Sequence, residues 1–130
     1  MKRNNKTNND FKIIIKKRDY KNSPTGINIF TIGLKEKYNH PEIQIVLNFK
    51  KEIIELILNK CLDKIKQGIH FLTDIIYDDI LPKKYKIIFK EVSKNKYRMI
   101  FSDEKNNIAK DLISGDFFQQ YEMINDEIIF

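Results

Sequence analysis

The sequence predicts an α+β fold: one antiparallel sheet of about five strands packed against one long amphipathic helix, with a second helical segment towards the C-terminus. Three observations carry that expectation. Short segments alternate apolar and polar residues, one stretch from about Phe49 to Gln67 repeats its apolar residues at helical spacing, and Gly, Pro and Asn punctuate the chain between them. With 130 residues, 42% hydrophobic and 32% charged, the chain has core and solvated surface for one domain, expected over residues 11–130. Residues 1–10 are polar after the initiator and are expected to form a mobile tail.

Phe11, Ile13 and Ile15 alternate with Lys12, Ile14 and Lys16 as a first strand, followed by the charged run Lys16-Lys17-Arg18-Asp19 and the turn Asn22-Ser23-Pro24-Thr25-Gly26. From Ile27 to Leu34, the residues Ile27, Ile29 and Thr31 oppose Asn28, Phe30 and Ile32 in a second strand that pairs with the first as a hairpin. Gly33 and the polar Lys35-Glu36-Lys37 stop it. Pro41 biases His40 away from helix, and Ile43, Ile45 and Leu47 mark a third strand.

The clearest element is the helix near residues 49–67. Ile53, Ile54, Ile57, Leu58, Cys61, Leu62 and Ile65 form its apolar stripe, Asn48 is the expected N-cap, and Gly68 stands where a left-handed residue ends a helix. Beyond Pro82, alternation at Tyr85, Ile87, Phe89 and Glu91 predicts a fourth strand. Tyr97, Ile100, Phe101, Ile108, Leu112 and Ile113 read as a second helix within residues 94–113, with Ser102 or Asp103 able to start a turn. Residues 117–124 and 127–130 read as closing strands.

Composition narrows the function classes. No apolar run approaches the length of a membrane span and no signal-peptide core follows the polar start, so a soluble, cytoplasmic protein without membrane contact is expected. A single cysteine makes no internal disulfide, and no Cys/His spacing matches a zinc site. Ile (24), Lys (21) and Asn (13) dominate while Ala occurs once, the signature of AT-rich codon usage, so much of the net charge of +6 reads as a solvated lysine surface. Only Arg3, Arg18 and Arg98 supply the planar fork suited to phosphate recognition.

Ile29-Phe30-Thr31-Ile32-Gly33-Leu34, then Tyr38-Asn39-His40-Pro41-Glu42-Ile43, and the helix exit Ile65-Lys66-Gln67-Gly68-Ile69-His70-Phe71 resemble a bacterial family of domains of unknown function numbered 4262. The resemblance is best over residues 26–71. Asn39 replaces the family's usual Gly, and near Phe117-Phe118-Gln119-Gln120-Tyr121 and Asn125-Asp126 the family's Trp residues and proline are absent. The resemblance implies an α+β fold and brings no activity with it.

Thr31, Lys35, Tyr38, His40 and Glu42 form the first candidate site, because a strand end and loop can aim a hydroxyl, an amine, a phenol, an imidazole and a carboxylate at one concavity. His40 could act as a general base oriented by Glu42, donate to a bound anion, or simply fix the loop through a backbone carbonyl. His70 with Tyr77, Asp74, Asp78 and Asp79 could hold a divalent cation, although a solvated acidic loop accounts for them as well. Cys61 lies on the apolar stripe and reads as core rather than nucleophile.

Three basic runs interleave aromatics: Lys16-Lys17-Arg18 with Tyr20 and Lys21, Lys83-Lys84-Tyr85-Lys86, and Lys94 and Lys96 with Tyr97 and Arg98. They could follow a phosphate backbone, though no recognised nucleic-acid motif accompanies them. The reading preferred from sequence is a small non-enzymatic protein that binds an anionic small molecule, such as a nucleotide signal, at Thr31, Lys35, Tyr38, His40 and Glu42. The alternatives are a hydrolase using His40 and Glu42, and a basic nucleic-acid-binding module. No cofactor is expected, and homo-oligomerisation is compatible with so Ile-rich a chain.

Overall fold

A computed structural model describes residues 12–17 and 27–122. The expected tail at 1–10, the turn at 22–26 and the last strand at 127–130 lie outside the described residues. Five strands form one sheet: β1 (Lys12–Lys17), β2 (Ile27–Ile32), β3 (Glu42–Ile45), β4 (Ile87–Ser93) and β5 (Lys96–Phe101). Their order is β1-β2-β3-β5-β4. The pairs β1/β2, β2/β3 and β4/β5 are antiparallel, but β3 and β5 run parallel, with Gln44 opposite Arg98. The expected antiparallel sheet is therefore corrected to a mixed one. A parallel pair needs a long crossover between its strands, and the helix between β3 and β4 supplies it.

That helix, α2 (Lys51–Lys66), lies where its spacing predicts. Its buried residues Ile54, Ile57, Leu58, Cys61, Leu62 and Ile65 pack on the sheet face built by Ile29, Ile43, Ile45, Phe89, Met99 and Phe101. Burying each large aliphatic side chain is worth roughly 1.5–3 kcal/mol before ordering entropy is subtracted. Ile53, expected in the stripe, is 43% exposed and lies outside it. Lys50, not Asn48, is the N-cap, and no side chain caps it. At the other end Gly68 has φ 98°, Gly68 N–H donates to the Ile65 carbonyl and Ile69 N–H to the Lys64 carbonyl, the paired bonds of a Schellman ending.

Three expectations near the sheet edges and C-terminus are corrected. The second strand stops at Ile32, and Gly33 (φ 113°) turns the chain into a short helix α1 (Leu34–Tyr38). The predicted helix over 94–113 is instead β5 followed by irregular chain. Asn95 (φ 64°) closes a β4–β5 hairpin, and Tyr97, Met99 and Phe101 alternate with Lys96, Arg98 and Ile100. Beyond it, the Asp103 carboxylate accepts the N–H groups of Lys105, Asn107 and Ser114 and the Ser114 hydroxyl, so the loop folds around one side chain rather than into helix. Burial opposes the charge of Asp103, but these hydrogen bonds prevail and hold its carboxyl below the ordinary range. Residues Gly115–Tyr121, expected as strand in part, form a 3-10 helix.

Candidate functional site

At the end of β2 the left-handed Gly33 swings three successive N–H groups towards β3. Glu42, the first residue of β3, receives them: Oε2 accepts from Gly33 N at 3.1 Å and Lys35 N at 3.2 Å, and Oε1 from Leu34 N at 3.3 Å. The Thr31 hydroxyl donates to Oε1 at 2.7 Å and itself accepts Ile43 N–H at 3.0 Å. Each carboxylate oxygen thus accepts two hydrogen bonds, and the group serves as the cap of α1. The Lys35 ammonium reaches Asn39 Oδ1 at 2.7 Å in solvent, and Tyr38 packs half-buried against the core.

His40 is 1% exposed and faces elsewhere. Its Nε2 accepts Phe71 N–H at 3.2 Å, which leaves the proton on Nδ1 to donate to the Pro41 carbonyl at 2.8 Å. Burial lowers its pKa below the ordinary histidine value. The neighbouring His70 acts in the same direction, while the Pro41 carbonyl and the Glu42 charge oppose it. The structure therefore brings Thr31 and Glu42 together and ties His40 to the exit of α2. Both ring nitrogens and both carboxylate oxygens are occupied by backbone or by Thr31.

The acidic loop disperses its carboxylates. Asp79 pairs with Lys64 at 2.8 Å, which draws its carboxyl below the usual value, and Asp74 pairs with Lys90 at 2.6 Å. Among the described residues no group of three or more His, Cys, Asp or Glu converges as a metal site. Cys61 is fully buried, and burial pushes its thiol up to about 12. No helix among the described residues is long and apolar enough to cross a membrane.

The sheet face opposite α2 holds Arg98 together with polar residues the sequence did not group with it. A row of buried polar side chains crosses it. Gln44 Nε2 donates to Asn28 Oδ1 at 2.9 Å, and Arg98 Nε donates to Gln44 Oε1 at 2.9 Å. Arg98 Nη1 donates to the Gln120 and Glu122 carbonyls at 2.9 and 3.0 Å. Gln120 replaces a strand neighbour for β5, its amide accepting Phe101 N–H at 2.7 Å and donating to the Phe101 carbonyl at 2.9 Å. The 3-10 segment is thereby strapped over Ile88 and Ile100, where Tyr121 donates its hydroxyl to the Ile108 carbonyl.

Between strap and sheet opens a cavity of about 430 Å³. Arg98 and Gln120, 2% and 1% exposed, form its buried end. Ile88, Val92 and Tyr121 give it an apolar wall and Lys90, Lys110 and Glu122 line it further, while strand alternation carries the Glu91 side chain to the α2 face opposite Tyr97. Size and lining suit a small organic ligand held by a few polar groups. One signal in the sequence pointed here: in a chain that uses Lys almost everywhere, Arg98 is one of three arginines. Nothing in the spacing showed that Lys110 and residues 120–122 return to it.

The chain is matched over residues 18–121 by the family model described as Domain of unknown function (DUF4262). No curated protein and no solved structure matches it.

Proposed function

The chain belongs to this family of domains of unknown function, and from that premise we propose that it binds a small organic molecule through an anionic group in the cavity between β4, β5 and the strap at residues 115–122. The observation that carries this reading is Arg98. Arg98 is 2% exposed at the cavity's buried end, where the Gln44 amide oxygen and the Gln120 and Glu122 carbonyls orient its guanidinium. A buried guanidinium at the end of a cavity that Lys110 also lines gives the site positive charge, which supports a ligand with an anionic group. The cluster expected from sequence is less suited to it. Thr31, His40 and Glu42 direct their polar atoms to each other and to backbone. For the same reason the His40 and Glu42 hydrolase is not the reading adopted: a general base needs a lone pair aimed at substrate.

The test is a nitrogen-15 chemical-shift titration of the full chain with phosphate, pyrophosphate, citrate and nucleoside monophosphates. The expected result is saturable shifts centred on residues 88–92, 98, 110 and 120–122. Shifts centred on residues 31–42, or none up to millimolar ligand, would overturn the proposal.

A further inference from the structure

Beyond α2 the chain runs without helix or strand along the outer edge of β4. Among the described residues, backbone bonds tie residues 71–77 to the sheet at two places. Asp74 N–H donates to the Phe89 carbonyl at 3.0 Å, and Tyr77 and Ile87 exchange N–H to carbonyl bonds at 2.8 and 2.9 Å. The Asp74–Lys90 ion pair joins two exposed side chains and holds weakly in water. Phe71 stacks on Phe89 with ring centroids 4.8 Å apart, and Ile80, 2% exposed, anchors the far end.

The tie at the near end depends on protonation. A backbone N–H is always a donor, so His40 can receive Phe71 N–H only while Nε2 keeps its lone pair. The imidazolium carries a proton on both nitrogens, and no turn of the ring restores an acceptor. Two donors would then stand 3.2 Å apart. His40 itself is fixed, because its N–H donates to the Leu34 carbonyl at 3.4 Å and Nδ1–H keeps the Pro41 carbonyl in either charge state. We propose that residues 71–77 form an acid-sensitive flap: proton uptake at His40 Nε2 releases Phe71 and lets the flap lift from β4 while α2 and the rest of the sheet stay folded.

The groups facing the ring set the pH at which this occurs. Burial and His70, 4.7 Å away, oppose the cation, while the Pro41 carbonyl and the Glu42 charge favour it. Tyr97 of β5 meets the ring edge-on at 6.0 Å, and Glu91 of β4 stands opposite Tyr97. Lifting Phe71 removes cover from the imidazole, so the open form takes up the proton first and its share grows as pH falls below about 6.5. Opening uncovers Phe71, Tyr77 and Phe89 and frees the backbone groups of Ile87 and Phe89 on the β4 edge.

Native-state hydrogen exchange of the full chain at pH 7.5 and pH 5, referred to unstructured-peptide rates at each pH, tests the flap. Protection at Phe71, Asp74 and Tyr77 is expected to fall together by about tenfold, through an opening that low urea barely changes. Leu58 in α2 should stay at least about tenfold better protected at both pH values and respond to urea. Flap amides that match Leu58 in protection and urea response would show global unfolding alone and overturn the flap, as would protection unchanged by pH. His40→Gln, which accepts a hydrogen bond and does not titrate, should reduce the pH response to about twofold or less, and a full response in that variant removes His40 as the trigger. Should it not fold, His70→Gln decides, since the chain has two histidines and His70 is exposed. A response that survives in His70→Gln supports His40, and its loss overturns the proposal.

Discussion

The backbone N–H of Phe71 donates to His40 Nε2 at 3.2 Å, joining two buried residues thirty-one positions apart just beyond the end of α2. The imidazole is therefore a strut between the β3 entrance and the segment that follows the helix, with His70, Phe71 and Tyr97 packed around its ring.

Replacing the strut should be expensive. His40→Ala orphans the Phe71 N–H and opens a hole in the aromatic cluster, for an expected loss of about 2–4 kcal/mol. His40→Gln, which can still accept one hydrogen bond, should lose less. Urea denaturation of both variants checks the order, and equal midpoints for wild type and His40→Ala would remove the strut.

The same residue sets a pH dependence. Because burial lowers the folded-state pKa of His40, the unfolded chain takes up a proton first as pH falls. Stability from its neutral form is complete above about pH 6.5 and declines as pH drops below that value towards the lowered folded pKa. His70 reinforces the shift, and the Pro41 carbonyl and Glu42 limit it. Urea midpoints at pH 8 and pH 5 should differ in wild type and differ less in His40→Gln.

Glu42 and Thr31 should behave as a unit. Glu42→Gln keeps one acceptor oxygen for four donors and is expected to cost about 1.5–3 kcal/mol, while Thr31→Val removes one of those donors and the acceptor of Ile43 N–H. Since the two share a hydrogen bond, the double variant should lose less than the sum. A double-mutant cycle measures the difference, and strict additivity would separate the residues.

Cys61 should be inert while the chain is folded. With its thiol pushed up to about 12 and no exposed surface, it offers almost no thiolate at pH 8. Labelling with a chromogenic disulfide should proceed only as fast as the protein unfolds, and denaturant should make it immediate. Rapid labelling of native protein would place the thiol elsewhere.

Gln120 holds the strap to the sheet. Gln120→Ala leaves the Phe101 N–H and carbonyl without their side-chain partner, at an expected cost of about 2–4 kcal/mol. Hydrogen exchange should accelerate at Phe101 more than at Ile29 on β2, and a uniform change over both would show only a global loss of stability.

What the sequence revealed and what it hid have physical reasons. α2 was legible because one stripe of Ile and Leu has one period and a glycine stands at its end. The N-terminal strands were legible because they alternate. Lys96–Phe101 was misread because Tyr97, Ile100 and Phe101 satisfy a helical spacing as easily as Tyr97, Met99 and Phe101 satisfy a strand, and only the left-handed Asn95 decides between them. The loop at Thr31, His40 and Glu42 was visible as a cluster of functional groups, but hydrogen-bond partners such as Phe71 N–H are backbone and leave no mark in residue type. The Arg98 cavity was hidden because its residues come from β4, β5, the loop at Lys110 and the strap, which only the tertiary fold gathers.

The parallel seam between β3 and β5 also divides the chain as a folding problem. On one side β1, β2 and β3 pair with near neighbours in sequence, and on the other β4 and β5 form a local hairpin. Among the described strands only the seam joins these two pieces within the sheet, and it closes a loop of some fifty residues, Gln44 to Arg98, before any of its hydrogen bonds form. The seam is thus the non-local pairing of the sheet, and the apolar face that α2 covers is incomplete until it forms. Cut between the exposed Ile75 and Ile76, the chain would yield two fragments whose unpaired β3 and β5 edges are each other's natural partners, so the two should recover the native sheet only when mixed.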